Sequence, residues 1–206
     1  MPLQNRVTPF GEIVATAERG GFTGNRGIIH DPATKTLTKR WSLKAWLVCV
    51  LEFQNRRRDV MARRSWTELF FLDEATALAA GHRPCFHCRR ADANRFRAAF
   101  AKGDPRLPRA PQMDAILHGE RLSGREKQLH PIEGSWRDLP DGAMIASGGG
   151  SYLVLNGAAR PWSFAGYGPE VPLGDDVRLI TPPATVRALR AGYRPALHPS
   201  ALKVTP

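Results

Sequence analysis

Cys85-Phe86-His87-Cys88 sets two thiols three residues apart, the spacing at which one turn of chain presents two ligands to a metal ion. Zinc is the metal expected, and a structural zinc site takes four donors. The remaining donors are Cys49 and six histidines: His30, His82, His87, His118, His130 and His198. Cys49 sits in the middle of the apolar run AWLVCVLEF. A mid-strand cysteine reads first as a small buried hydrophobe with an inert thiol. It is also the natural third thiolate if its strand lies beside the knuckle. His87, inside the knuckle, is expected to point away from the ion, and His30 to be an ordinary strand-end histidine. The alternative to a bound metal is a metal-free knuckle held by an apolar core. Redox chemistry is not implied, because this CxxC follows a helix stop rather than opening a helix after a strand.

A second constellation is basic. Arg56, Arg57, Arg58, Arg63 and Arg64 crowd one segment, and Arg83, Arg89, Arg90, Arg95 and Arg97 surround the knuckle. Arginine suits bidentate contacts to phosphate, and clustered basic charge is the usual footprint of a nucleic-acid face. Residues 1–102 carry a net charge of +9 against +2 for the rest of the chain. Arg56, Arg58, Arg63, Arg64, Arg89, Arg90 and Arg97 are the candidate phosphate contacts, with DNA the expected partner. Trp66, beside the cluster, reads as a strand-end core residue, with base stacking as the alternative. The opposing reading is a generally basic surface that serves solubility. His118 and His130, each near a carboxylate, suggest an acid-base or metal site, but their spacing matches no hydrolase pattern. Gly24-Asn25-Arg26-Gly27 lacks the lysine and following helix of a phosphate-binding loop and reads as a turn.

The stretch LDEATALAAGHRPCFHCRR resembles the second half of the zinc-binding domain of Ada-type DNA repair proteins. The likeness rests on Ala80, Gly81, Arg83, Pro84, Cys85 and Cys88 and covers about 20 of the 206 residues. It implies a helix-knuckle-helix unit, zinc on Cys85 and Cys88, and a DNA-repair role. The family's upstream cysteine pair, one member of which accepts a methyl group, has no counterpart here; that region reads QNRRRDVMARR. Methyl transfer is therefore not expected, and three cysteines cannot make a four-thiolate site.

The elements that position these residues follow from local pattern. Thr67 to Leu72 is a strand-length apolar run, Asp73 caps a short helix of strong helix formers, and Gly81 closes it in a left-handed residue. Asp92 is expected to cap a second helix that stacks Phe96 on Phe100. Ala45 to Phe53 reads as a central strand, with Trp46, Val48 and Val50 facing one way and Leu47, Cys49, Leu51 and Phe53 the other. Arg57 to Met61 is its expected return strand. The proline-bearing stretch after Gly103 is the best boundary, dividing a basic domain, 1–104, from a lobe at 105–206. Met113 to Arg121 is a short helix. Short strands follow at 143–146, 152–155, 162–164 and 177–181, and a last helix starts at Thr181-Pro182-Pro183.

One internal echo stands out. ALAAGHRPCFHC and ALRAGYRPALHP align through Gly81 with Gly192, Arg83 with Arg194 and His87 with His198, with Ala196 and Pro199 where the cysteines were. A recurring helix stop explains it, and a degenerate duplication is the sharper reading. At 42% hydrophobic residues the chain can bury a sizeable core, and no apolar run approaches membrane length. With no visible secretory signal and only three cysteines, a reducing cytoplasm is expected. The expected fold is α+β, a mainly antiparallel sheet carrying the helix-knuckle-helix unit beside a small β-rich C-terminal lobe. The expected function is DNA binding linked to repair. The alternatives are a nuclease or transferase with its site between the lobes, and a non-catalytic partner-binding protein.

Overall fold

A computed structural model describes residues 1–55, 59–63, 65–102, 104 and 106–203. The fold is α+β, built on a mixed six-stranded sheet and an antiparallel five-stranded one. The first contains β1 (Gln4–Val7), β2 (Ile13–Ala15), β3 (Phe22–Asn25), β4 (Leu47–Cys49), β5 (Leu69–Phe71) and β6 (Arg83–Pro84). Their order is β2-β1-β5-β3-β4-β6, and β1/β5 and β4/β6 are its parallel pairs. Between β5 and β6 runs helix α1 (Glu74–Ala79); after β6 come α2 (Arg90–Phe100) and α3 (Ala110–Arg121). A small hairpin, β7 (Leu122–Ser123) with β8 (Glu126–Lys127), leads towards the second sheet.

The second sheet holds β9 (Met144–Ser147), β10 (Gly150–Leu155), β11 (Ala158–Ser163), β12 (Gly166–Tyr167) and β13 (Arg178–Leu179), in the order β12-β11-β10-β9-β13. Asn156-Gly157 joins β10 to β11 with φ of 52° and 72°. Two positive φ values in succession define the tight turn whose twist matches a hairpin, and Asn-Gly is the pair that adopts it most readily. Helix α4 (Pro183–Arg190) follows β13.

Helix α1 is the centre of the molecule, and its composition explains how. All six of its residues are buried. Ala77 packs in a cluster with Val7, Val48, Leu69 and Phe71 of the first sheet. Ala75 and Ala79 pack with Met144 and Leu153 of the second, and Leu78 packs with Phe96, Met113, Ile145 and Leu189. A helix enclosed on all sides needs small side chains for its neighbours to approach, and alanine supplies them without loss of helix propensity. The expected division at 104/105 falls between α2 and α3. Packing runs across it, since Leu78 and Phe96 share a cluster with Trp136, Val154 and Tyr193.

Several boundaries differ from expectation. The run 45–53 yields a strand of only Leu47–Cys49, because β3 pairs with it over those three residues and β6 over two. Asp59 to Met61 form no return strand; Met61 turns with φ 57°, its N–H donating to Glu68 Oε2 at 2.7 Å. Arg57 and Arg58 lie outside the described residues. Helix α2 begins at Arg90, and Asp92 sits in its first turn instead of capping it, held by Arg89. Thr181 is not the cap of α4; its hydroxyl accepts the Met144 N–H at 2.8 Å, tying the helix entry to β9. Among the described residues no helix is long and apolar enough to cross a membrane.

Candidate metal centre

Parallel pairing of β4 with β6 builds the site. Leu47 lies opposite Arg83 and Val48 opposite Pro84. The next step of the same ladder is the Cys85 N–H donating to Val48 O at 3.0 Å, which sets Cys85 beside Cys49. The chain then turns back on itself, with Arg89 N–H donating to Cys85 O at 3.0 Å, and returns Cys88 to the same place. The Sγ atoms of Cys49, Cys85 and Cys88 all lie within 4.8 Å of one another. All three cysteines are free.

The backbone prepares these sulfurs for negative charge. The His87 N–H donates to Cys85 Sγ at 3.4 Å, and the Cys88 N–H also points at it. The Val50 N–H serves Cys88 in the same way. Hydrogen bonds from Cys49 and then Cys88 hold the Cys85 thiol far below its ordinary range. Sharing with Cys85 and then Cys88, together with burial, pushes Cys49 far up. One thiolate is thus stable among the three as they stand, and the second and third need a cation to lose their protons.

The donor set fits a soft metal ion. Tetrahedral bonds of about 2.3 Å put thiolate sulfurs about 3.8 Å apart, and these three all lie within 4.8 Å of one another. Thiolates select zinc, copper(I) or iron over calcium and magnesium. Cys85 and Cys88, singled out from spacing, are brought together as expected. Cys49 joins them and is only partly buried, so it is not the fully enclosed filler expected of a mid-strand cysteine. The face alternation of its strand carried that signal: Trp46 and Val48 point into the core, and Cys49 lies on the other, more open face.

The arginines divide. Arg63 and Arg90 are exposed, and Arg97 is half-buried with its guanidinium over Phe86. Arg56, Arg58 and Arg64 lie outside the described residues. Arg89 does not face solvent. It is buried between Glu74, at 2.8 Å, and Asp92, at 2.7 Å, because its position just before α2 aims it at the start of α1. The two histidines considered for acid-base work are held by the fold. Arg121 Nη2 donates to His118 Nδ1 at 2.8 Å, and His130 Nε2 contacts Glu120 O at 2.7 Å. Burial, then the Arg121 and Lys44 charges, lower the His118 pKa.

Sequence reasoning missed what locks the knuckle in place. Asp73 caps α1 through the Thr76 N–H and also accepts the Tyr167 hydroxyl at 2.9 Å and the His198 N–H at 3.0 Å. Glu74 accepts from Arg89, from the Tyr193 hydroxyl at 2.6 Å and from the Ala196 N–H at 2.9 Å. At the other end of α1, Lys127 donates to Ala79 O at 2.6 Å and Arg121 to Gly81 O at 3.0 Å. Arg26 and Arg121 also stack on the Trp46 ring, each 3.8 Å from its centroid. Acid at the helix start and base at its end match the charge of the helix ends. No local pattern marks these partners, which come from up to 125 residues away.

Compared with known proteins, the chain matches no family model, and no curated protein or solved structure matches it.

Proposed function

We propose that this chain is a zinc protein that binds DNA, with Cys49, Cys85 and Cys88 as the thiolate ligands and the metal holding the knuckle against β4. The observation that carries the reading is the meeting of the three sulfurs, two from one turn and one from a neighbouring strand, with backbone N–H groups aimed at two of them. The zinc would fix the turn from which α2 and its arginines leave. Support for DNA comes from the +9 charge of the first 102 residues and from Arg63, Arg90 and Trp66, which are exposed. A link to repair rests on the likeness of the knuckle alone. The absence of an upstream cysteine pair still speaks against methyl transfer from phosphotriesters.

Elemental analysis of protein purified without chelator should give about one zinc per chain, and Cys85→Ser with Cys88→Ser should abolish it. Duplex DNA binding should weaken with salt. Arg63→Ala with Arg90→Ala should reduce the magnitude of the log-log salt slope by about 0.9 for each phosphate that the variant no longer neutralises. A chain without zinc defeats the metal reading, and binding whose slope the double variant leaves unchanged removes these arginines from the interface.

A further inference from the structure

Among the described residues the cluster holds three donors, and no fourth side chain joins them. Every histidine is placed elsewhere. His30 Nδ1 is 2.6 Å from Thr67 Oγ1, and His82 is buried between Trp46 and Phe71. His118 and His130 are engaged by Arg121 and by Glu120 O, and His198 by the Ser200 hydroxyl at 2.8 Å. His87, the histidine inside the knuckle, lays its exposed ring edge-on to Phe53 at 4.9 Å. Among the described residues no carboxylate joins the cluster. The residues outside the described ones are Arg56, Arg57, Arg58, Arg64, Gly103, Pro105, Val204, Thr205 and Pro206, whose side chains are not metal donors.

Zinc with three protein ligands keeps its fourth position for a molecule from outside, whereas a closed structural site has four. The character of this site decides what that molecule is. Three thiolate charges outweigh the 2+ of the ion, so it polarises a bound water less than a site of neutral imidazoles does. Hydrolytic chemistry is disfavoured, and a soft donor is matched to the soft set already present. The cluster is open to solvent: Cys49 and Cys88 are partly exposed. Exposed Arg90, two residues after Cys88, favours an anion.

Resting on the metal reading above, we infer that the centre formed by Cys49, Cys85 and Cys88 keeps one coordination position open and takes an exogenous thiolate there. Binding exchanges a metal-bound water for the thiolate sulfur. The thiol proton leaves to solvent, and no electrons are transferred.

Cobalt(II) in place of zinc gives this proposal an optical readout. Protein loaded with cobalt should show sulfur-to-metal charge transfer from three Co–S bonds. Saturating glutathione should raise that band about 1.3-fold, as a fourth Co–S bond forms, and shift the visible d–d bands. A folded protein bearing one exposed cysteine is the second probe. A response to both assigns any accessible thiol as the ligand, and a response to glutathione alone assigns a small one. His87→Ala should leave the spectrum and the glutathione response as in the wild type. A wild-type spectrum unmoved by either thiol overturns the open position. So does a spectrum that changes on His87→Ala, since His87 is then the fourth ligand. Absence of any charge-transfer band means that the metal reading has itself failed, and the inference with it.

Discussion

The chain contains the same helix stop twice, and only one copy leads to a cluster of cysteines. At Gly81 and Gly192 the backbone is left-handed, with φ of 90° and 101°. In the first copy His82 N–H donates to Ala77 O and Gly81 N–H to Leu78 O, both at 2.9 Å. In the second Tyr193 N–H donates to Ala188 O and Gly192 N–H to Leu189 O, both at 3.0 Å. These are the paired bonds that close a helix on a left-handed residue. The copies part after the stop. The first continues into β6, pairs with β4 and meets Cys49. The second runs from Tyr193 to His198 across the start of α1, binding Asp73 and Glu74. The repeated sequence therefore specifies how a helix ends, and the strand beside it specifies whether a third cysteine joins the pair. The second copy still serves the first, because its tail clamps the helix that carries the knuckle.

Removing that clamp is expected to have the largest effect on the comparison. Glu74→Ala leaves Arg89 buried without its main partner and frees Tyr193 and Ala196. The cost should be about 4 kcal/mol by urea unfolding. A loss below 1 kcal/mol, of the size seen for exposed ion pairs, would show that the two copies are not coupled through this carboxylate.

The two glycines separate conformation from crowding. An alanine Cβ at Gly81 would meet the Arg121 stem at 2.5 Å, whereas at Gly192 nothing lies within 4 Å. Gly192→Ala should cost only the left-handed strain, about 1 kcal/mol. Gly81→Ala adds displacement of a buried arginine and should cost about 3 kcal/mol. Equal losses at the two positions would mean that Arg121 yields freely.

The residues that follow the glycines, His82 and Tyr193, differ in charge chemistry, and the effect there appears only as pH falls. Burial and the neighbouring Arg26 and Arg121 charges hold the His82 imidazole well below its usual range. Its Nδ1–H faces Ala77 O and its Nε2 accepts from Arg26 Nε, so the ring is neutral in the fold. The unfolded chain gains this proton near pH 6.5 and the folded one does not. The stability linked to His82 is therefore present above about pH 6.5 and lost as pH falls, at up to about 1.4 kcal/mol per pH unit. His82→Phe should flatten the stability curve between about pH 6.5 and 5.5, and Tyr193→Phe should not. An unchanged slope in His82→Phe would assign the acid sensitivity to another group.

The short-range features were legible in the chain. Asp73 as a cap, Gly81 and Gly192 as helix stops and Cys85 with Cys88 as a pair each depend on a few neighbouring residues. The β-rich character of residues 143–181 was legible for the same reason. What escaped is set by long-range register. The parallel step of β4 on β6 brings Cys49 to Cys85 and Cys88, and no local pattern announces it. Arg89 shows the converse. Its sequence neighbours suggest a phosphate contact, but Glu74, fifteen residues earlier, holds it inside. Charge counted along a chain cannot tell a solvated arginine from one already partnered.

The central claim is that strand pairing completes a three-thiolate metal centre. X-ray absorption at the zinc edge, on wild type and Cys49→Ser, tests it most directly. The account predicts about one zinc per chain with three chain sulfurs at about 2.3 Å in thiol-free buffer, falling to two sulfurs with weakened zinc retention in Cys49→Ser. Full zinc with an unchanged sulfur count in Cys49→Ser, or no zinc in the wild type, would contradict it.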